Sequence, residues 1–291
     1  MRYGSLAYVT ALVVIGYAYA STRDLTLASR RQGHPVEWLH IPKTGTSFGN
    51  TLLLWACPEL NTTLWITASG VADLPAGCKA KFYLHPGNRK EWFVGDHTSL
   101  ENRSDDQLKN VFTFVRSPMT KIASGYHFIQ SVMLQQSTTN VTEADICAFA
   151  RKSTVAHMAL GAQVKTIAGN AMTVVEREYP SHEFGSAEPP TSAEIELACA
   201  RLHSFAFVGI TELWAASICL FHNKFGGRAH AVEHVNVNRG RYHSDGSITR
   251  VDCSDNADAT LFRCALSRFF AELSNFPDCM THLNADLEVI L

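Results

Sequence analysis

One lysine, one glycine and three hydroxyl residues lie side by side in the segment HIPKTGTSF. Lys43 and Thr44 precede Gly45, and Thr46 and Ser47 follow it. An apolar run with strand character comes before this turn and a helical pattern comes after it, so unpaired N–H groups and the helix dipole point at the turn. The segment therefore predicts an anion site for a phosphate or a sulfate.

The order of residues in this turn argues against a nucleotide triphosphatase. A phosphate loop of that class reads GxxxxGK[ST], with the lysine after the glycines and a hydroxyl beside it for magnesium. In this chain Lys43 comes before Gly45, which permits positive φ or a close backbone approach. We expect the Lys43 ammonium to neutralise charge that develops on a leaving phosphate, and that role needs no metal.

A second candidate anion site follows the apolar run NVFTFVR. Arg116 ends this run, and Ser124 lies about two turns into the helix predicted after it. A guanidinium fork with a nearby hydroxyl can hold a phosphate. The alternative is an ion-paired arginine at a strand end and an ordinary helix serine. Two sites at adjacent strand ends suit a ligand that is phosphorylated at both ends.

Alternating strands and helices are predicted to position both sites. Alternation of this kind indicates an α/β fold with a parallel sheet that helices cover on both faces. The predicted strands span residues 36–41, 81–84, 91–95, 110–116 and 205–210. The predicted helices span residues 48–56, 119–136, 192–203 and 212–225, with one or two more within 143–168.

The N-terminal residues 3–22 are uncharged and mostly apolar, which is about the length of a membrane-spanning helix. We expect residues 1–22 to form a signal anchor, 23–35 a short stem and 36–291 one lumenal domain. A cleaved signal peptide is the alternative, because Ala18-Tyr19-Ala20 fits a small-x-small cleavage site, and a buried soluble helix is a third reading. The first two readings place the domain in the secretory pathway.

Cysteine and asparagine patterns agree with that compartment. The eight cysteines are an even number, and Asn61, Asn102 and Asn140 begin N-glycosylation tripeptides. The formal net charge of −2 gives no reason to expect nucleic acid as a partner. The predicted cysteine arrangement is a Cys57–Cys78 bridge, a C-terminal bridge drawn from Cys253, Cys264 and Cys279, and a buried thiol at Cys219.

Three separated blocks of the sequence resemble sulfotransferases that use 3′-phosphoadenosine-5′-phosphosulfate, here abbreviated PAPS. The blocks PKTGTS and FTFVRSP are similar to the nucleotide-binding elements of that superfamily. The block FAFVGITELWAASICLF resembles the VG(L/I)TE segment of membrane-bound Golgi carbohydrate sulfotransferases of the heparan sulfate 2-O and 6-O type. The loop departs from the PKTGGTS of many Golgi members by one residue, and Ser117 stands where Asp or Asn is common.

The resemblance implies a P-loop-like three-layer sandwich with a central, mostly parallel sheet. It also implies a single-pass type II membrane protein of the Golgi, and secretion after cleavage of a signal peptide is the alternative. The implied acceptor is a glycan or proteoglycan, and the implied co-substrate is PAPS, without a metal. In this reading Lys43, Thr44, Gly45, Thr46 and Ser47 hold the 5′-phosphosulfate, and Arg116 and Ser124 hold the 3′-phosphate.

Transfer of a sulfuryl group to a hydroxyl requires a base, and His97 is the favoured candidate. It follows a predicted strand between the two cofactor blocks, and an imidazole has a suitable unperturbed pKa. His85, His40 and Asp96 are the reserves, and His40 is expected to pack beneath the loop.

The basic residues Arg239 and Arg241 are candidates to contact an anionic sugar or the 3′-phosphate, although an ordinary solvated loop explains them equally well. The sequence thus favours a carbohydrate O-sulfotransferase. A lumenal glycosyltransferase is one alternative, but no Asp-x-Asp pair supports a metal-dependent one. A non-catalytic glycan-binding protein on a sulfotransferase scaffold is the other, and it would be expected to lack Lys43 or Arg116.

Overall fold

A parallel sheet with flanking helices forms the centre of the molecule. Within the described part of the chain the sheet has four strands in the order β2-β1-β3-β4, and every neighbouring pair is parallel. The strands are β1 (Val36–Leu39), β2 (Phe82–Tyr83), β3 (Val111–Val115) and β4 (Phe207–Ile210). The predicted mixed α/β class with a parallel sheet is therefore confirmed. The computed structural model describes residues 36–45, 82–83, 99–100, 103–136, 138, 140–153, 158–170, 188–226, 229, 231–234 and 248–290.

The central strand β3 is buried on both faces. All five of its residues are buried, as expected for an apolar strand inside a parallel sheet. Phe112 of β3 is in register with Trp38 of β1 and with Phe207 of β4. Because parallel strands end at the same edge of a sheet, the segments that follow β1, β3 and β4 emerge next to one another.

The helices follow the predicted alternation, with some differences. The helix predicted over 119–136 changes to a π-helical turn at Ile129–Met133. The region 143–168 contains two helices, which is one of the two predicted outcomes. The helix at Asp105–Leu108 and the two C-terminal helices were not predicted. The helices are α1 (Asp105–Leu108), α2 (Pro118–Phe128), α3 (Glu143–Lys152), α4 (Ala162–Ala168), α5 (Ser192–Ser204), α6 (Trp214–Phe225), α7 (Asn256–Leu273) and α8 (Pro277–Ile290), with 3₁₀ turns at Thr211–Leu213 and Ala231–His234.

Aromatic side chains join α6 to the sheet. The Phe221 ring lies 5.7 Å from the Phe112 ring and 5.4 Å from the Phe207 ring, both in edge-on contact. Such pairs add roughly 0.5–1.5 kcal/mol to the gain from burial alone. The same core cluster includes Leu261 and Phe269 of α7. This packing fixes α6 against the sheet and so places the segment between β4 and α6.

A second apolar cluster lies between α2, α3 and the segment that leads to α7. It contains Ile122 of α2, Ile146 of α3 and Val251, each no more than 1% exposed. The Val251 N–H also donates to the Met119 carbonyl over 3.1 Å. The cluster holds α2 against α3 and against the segment that contains Val251.

Three disulfides correct the predicted cysteine arrangement. The proposed C-terminal bridge is wrong because α7 and α8 pack back onto earlier helices, so their cysteines meet partners on α5 and α6. Cys219 is bonded rather than a buried thiol, and the Cys57–Cys78 bridge lies outside the described residues. The disulfides are Cys147–Cys253, Cys199–Cys264 and Cys219–Cys279.

Several predicted elements lie outside the ranges given above, namely the N-terminal segment, the helix over 48–56 and the strand over 91–95. Among the helices that the structure does describe, none has both the length and the apolar character needed to cross a bilayer.

Candidate functional site

The loop after β1 turns sharply at Lys43. This residue has a φ of 66°, a left-handed conformation that few residues other than glycine adopt. The Thr44 hydroxyl donates to the Ile41 carbonyl over 2.8 Å and is buried, so it stabilises the turn from within. The Thr44 side chain thus stabilises the shape of the loop, and the Lys43 side chain extends to the Phe128 ring.

Gly45 is required where it stands by both its conformation and its surroundings. Its φ is 135°, and a Cβ added there would lie 3.0 Å from Cζ3 of Trp214 and 3.5 Å from Cγ of Phe114. The expected positive φ and close approach at this glycine both occur. The close neighbour is the indole of α6, which forms the floor of the loop.

Arg116 leaves the end of β3 and reaches the loop after β1. Its Nη1 donates to the Lys43 carbonyl over 3.0 Å, and its Nε donates to the Thr120 hydroxyl over 3.0 Å. The structure therefore brings the two predicted cations to one place. Because these bonds use two corners of the guanidinium, Nη2 is the corner left for a ligand.

The backbone of Arg116 is fixed from α4. Its N–H donates to Oε1 of Gln163 over 3.0 Å, and its carbonyl accepts from Nε2 of Gln163 over 2.8 Å. Asp258 of α7 in turn accepts from the N–H groups of Gln163 over 3.2 Å and Val164 over 3.0 Å. Burial, and then the nearby Asp255 carboxylate, raise the pKa of Asp258 to about 7. The peptide that carries Arg116 is thus held by a network that reaches α7.

Glu212, directly after β4, supports Arg116 from the other side. Its Oε1 accepts from the Ser117 N–H over 3.0 Å and from the Thr120 hydroxyl over 2.6 Å. The same oxygen lies 3.9 Å from Nε of Arg116. Burial lowers the pKa of Arg116, and the charge of Glu212 opposes that shift. The neighbouring Thr211 hydroxyl donates to the Thr44 carbonyl, so this short segment contacts both loops.

Helix α2 presents a partly exposed stripe formed by Thr120, Ser124 and Phe128, and Met119 beside Thr120 is partly exposed as well. Residues 121–123 and 125–127, which lie between the members of the stripe, are buried. Side chains four positions apart share a helix face, so the three stripe residues stand one above another along α2.

The two cations mark the two ends of this stripe. Arg116 contacts Thr120 at one end, and Nζ of Lys43 lies 4.4 Å from the centre of the Phe128 ring at the other. Ser124 is therefore positioned between the contact points of the two predicted anion-binding residues. Lys43, Arg116 and Ser124 therefore lie along one face of α2.

Lys43 has an unusual ionisation equilibrium. Burial, together with the positive charge of Arg116, lowers the pKa of Lys43 to about 7. The face of the Phe128 ring offsets part of this effect, because its negative quadrupole stabilises a cation. A bound dianion would add opposite charge and favour the ammonium form.

The site also contains residues that sequence reasoning missed. Thr211 and Glu212 had a signal in the VGITE block, since they directly follow a strand that ends at the edge of the site. The four-residue spacing on α2 could have indicated Thr120 and Phe128. Nothing in the sequence indicated Gln163.

Five predicted site residues, Thr46, Ser47, His97, Arg239 and Arg241, lie outside the described residues, as do His85 and Asp96. The reserve base His40 is 5% exposed and stacks on Trp38 with ring centres 4.3 Å apart, so it packs at the strand end. In the described ranges no three His, Cys, Asp or Glu side chains are placed to hold a metal ion.

Comparison with known proteins identifies no relative. No protein-family model matches the sequence, no curated protein is significantly similar to it, and no solved structure matches it.

Proposed function

We propose that this protein is a PAPS-dependent sulfotransferase that moves a sulfuryl group to a glycan hydroxyl. The observation that supports this proposal is the 3.0 Å bond from Arg116 to the Lys43 carbonyl. It joins the two predicted anion sites at adjacent ends of parallel strands, where ligands of α/β sheets bind. A nucleotide with phosphate groups at both ends of a ribose is the matching ligand.

In the proposed reaction the acceptor oxygen attacks sulfur, and the bond between sulfur and the bridging phosphate oxygen breaks. The leaving group is 3′,5′-adenosine bisphosphate. Lys43 stabilises the charge that develops on the departing phosphate, and Arg116 with Ser124 holds the 3′-phosphate. A base takes the acceptor proton, and His97 is the proposed residue. Thr44, Gly45, Thr46 and Ser47 complete the proposed 5′ site, with Arg239 and Arg241 near the nucleotide or the acceptor.

The proposed setting is the lumen of the secretory pathway, with a type II anchor in the Golgi membrane. Three disulfides support an oxidising compartment. We also propose that the sheet is the core of a P-loop-like three-layer sandwich. The buried central strand β3 supports this assignment, because both of its faces are covered.

Calorimetric titration of the full chain with 3′,5′-adenosine bisphosphate tests the proposal. We expect binding that Lys43→Ala and Arg116→Ala each weaken at least about tenfold, since each removes a charge-assisted contact to phosphate. Lys152→Ala is the matched control, because this cation is exposed at the end of α3 and should leave binding unchanged.

Sulfate transfer from labelled PAPS to a panel of glycans then tests the reaction. His97→Ala should abolish transfer and retain nucleotide binding. Absence of nucleotide binding in the wild type would contradict the proposal. Glycan binding without transfer would instead indicate a non-catalytic glycan-binding protein.

A further inference from the structure

The carboxylate of Glu212 lies beneath the candidate anion site and carries negative charge toward it. A carboxylate in that position that made no contacts with the site would weaken anion binding by Coulomb repulsion. Glu212 does make such contacts, because its Oε1 accepts from the Ser117 N–H and from the Thr120 hydroxyl. Its other oxygen, Oε2, is buried and has no hydrogen-bond partner among the residues that the structure describes, where Oε1 alone holds the carboxylate.

Thr120 extends the effect of Glu212 to the arginine. The Thr120 hydroxyl donates to Oε1 of Glu212, which leaves a lone pair to accept from Nε of Arg116 over 3.0 Å. The carboxylate also lies 3.9 Å from the same Nε. Glu212 therefore fixes the guanidinium in two ways, by charge and through one hydroxyl.

Arg116 extends the effect to the loop after β1. Its Nη1 donates to the carbonyl of Lys43, the residue in the left-handed conformation. A non-glycine residue in that region is strained because its Cβ lies too close to the following carbonyl oxygen, so the contact from Arg116 helps to retain the turn. A displaced guanidinium would loosen the loop as well as the second anion site.

We propose that Glu212 is a positioning residue that holds Arg116 and, through Arg116, the loop of Lys43, so that it controls anion affinity at both strand ends. This inference rests on the proposed function for the identity of the nucleotide, but the anion site itself does not depend on the reaction. Glu212 contacts no reacting atom in this scheme.

The test compares Glu212→Gln with the wild type in calorimetric titrations of three probes. Adenosine 5′-phosphosulfate lacks a 3′-phosphate, 3′,5′-adenosine bisphosphate has one, and inorganic pyrophosphate needs no nucleotide site. Glu212→Gln keeps the shape and the hydrogen-bond acceptor and removes the charge. If Glu212 positions Arg116, we expect the substitution to raise Kd about fivefold for all three probes. If Glu212 only repelled anions, the substitution would lower Kd instead.

Thr120→Val provides a second, nearly isosteric way to loosen the arginine and should also weaken all three probes. Glu194→Gln is the matched control, since its side chain is 14% exposed, close to the 16% of Glu212, and pairs with Lys165 away from the site. In an Arg116→Lys background, Glu212→Gln should raise Kd further by less than about twofold, because Glu212 acts through the arginine.

Three results would overturn the inference. These are tighter binding in Glu212→Gln, weakening of the bisphosphate alone, or losses that multiply in the Arg116→Lys background. If the wild type binds pyrophosphate but no adenosine nucleotide, the proposed function fails and the pyrophosphate titrations still decide the role of Glu212. If the wild type binds none of the probes, there is no anion site to position and both proposals are wrong.

Discussion

Lys43 has two energetically unfavourable features that an ordinary surface lysine lacks. It adopts a left-handed backbone conformation, and its amine is withdrawn from water beside Arg116. Strain and a shifted pKa together are more typical of functional sites than of loops that only connect elements. The Phe128 ring accepts the ammonium at 4.4 Å, so the charged form has a defined place in the site.

The lowered pKa of Lys43 predicts how anion affinity depends on pH. Below about pH 7 the Lys43 amine of the free protein is mostly protonated. Above that pH the neutral amine predominates, so anion binding must be accompanied by uptake of a proton on Lys43. We expect Kd for 3′,5′-adenosine bisphosphate to rise about tenfold from pH 7 to pH 8.5, as measured by calorimetry. The phosphates of the ligand have lost most of their second proton by pH 7 and contribute little to this change.

Lys43→Arg is the control for that profile, because a guanidinium stays protonated over the whole range. Its Kd should change less than about twofold between the same pH values. Parallel profiles for the wild type and Lys43→Arg would show that a different group titrates.

Three loops meet at one edge of the sheet, and the contacts between them are made by elements far apart in the chain. The indole of Trp214 at the start of α6 packs against Gly45, while its Nε1 donates to the Glu233 carbonyl over 2.8 Å. The hydrogen bond fixes the indole plane, so the loop rests on a rigid surface. The shape of the anion site therefore depends on how α6 docks on β4.

Gly45→Ala tests this dependence. The new methyl group would meet Trp214 at 3.0 Å in a conformation that L-residues rarely adopt, so we expect lower thermal stability and at least about tenfold weaker anion binding. Gly226→Ala is the matched control, because it has a positive φ of 85° but nothing within 4 Å of the added methyl group. Equal losses of binding in the two variants would mean that backbone strain, and not contact with α6, explains the effect.

The sequence was sufficient to predict the elements whose pattern is local. The buried strand β3 and the helices α5 and α6 were predicted to within a few residues, since apolar runs and helical spacing depend only on neighbours in the chain. Lys43, Arg116 and Ser124 were predicted from motif order. Gln163 was missed because its role arises from contacts that only the packed helices create.

The C-terminal helices show the same limit. Helix α7 begins at the capping residue Asp255 and buries Leu261, Ala265 and Phe269 at four-residue spacing, which is a readable helical pattern. The cysteine pairs could not be read from the sequence, because an even count of cysteines leaves the pairing open. Only the docking of α7 and α8 onto α5 and α6 determines them.

At the scale of the whole molecule, two disulfides tie the C-terminal helices to the helices that precede and follow β4. Cys199–Cys264 joins α5 to α7, and Cys219–Cys279 joins α6 to α8. These bridges close loops of 65 and 60 residues. In the chain-entropy model a loop of this length stabilises the folded state by roughly 4 kcal/mol per bridge.

Replacing Cys219 and Cys279 together by serine should therefore lower the thermal midpoint by several degrees or more, as followed by circular dichroism under non-reducing conditions. Anion binding below the midpoint should be retained, since neither cysteine contacts the site. The double variant Cys147→Ser with Cys253→Ser removes the bridge between α3 and the segment before α7. Its thermal midpoint provides the comparison. An unchanged midpoint would show that packing alone holds α8 on α6.

The hydrogen bonds between Gln163 and Arg116, and those that Asp258 accepts from α4, have a consequence for the order of events during synthesis. Gln163 is held by the carboxylate of Asp258, which emerges from the ribosome 95 residues later. A nascent chain that has formed β1 and β3 but not α7 contains Lys43 and Arg116, but it lacks the hydrogen bonds by which Asp258 holds Gln163 behind Arg116. The proposed ability to bind a ligand that is phosphorylated at both ends would thus be complete only late in biogenesis, when the C-terminal helices have docked.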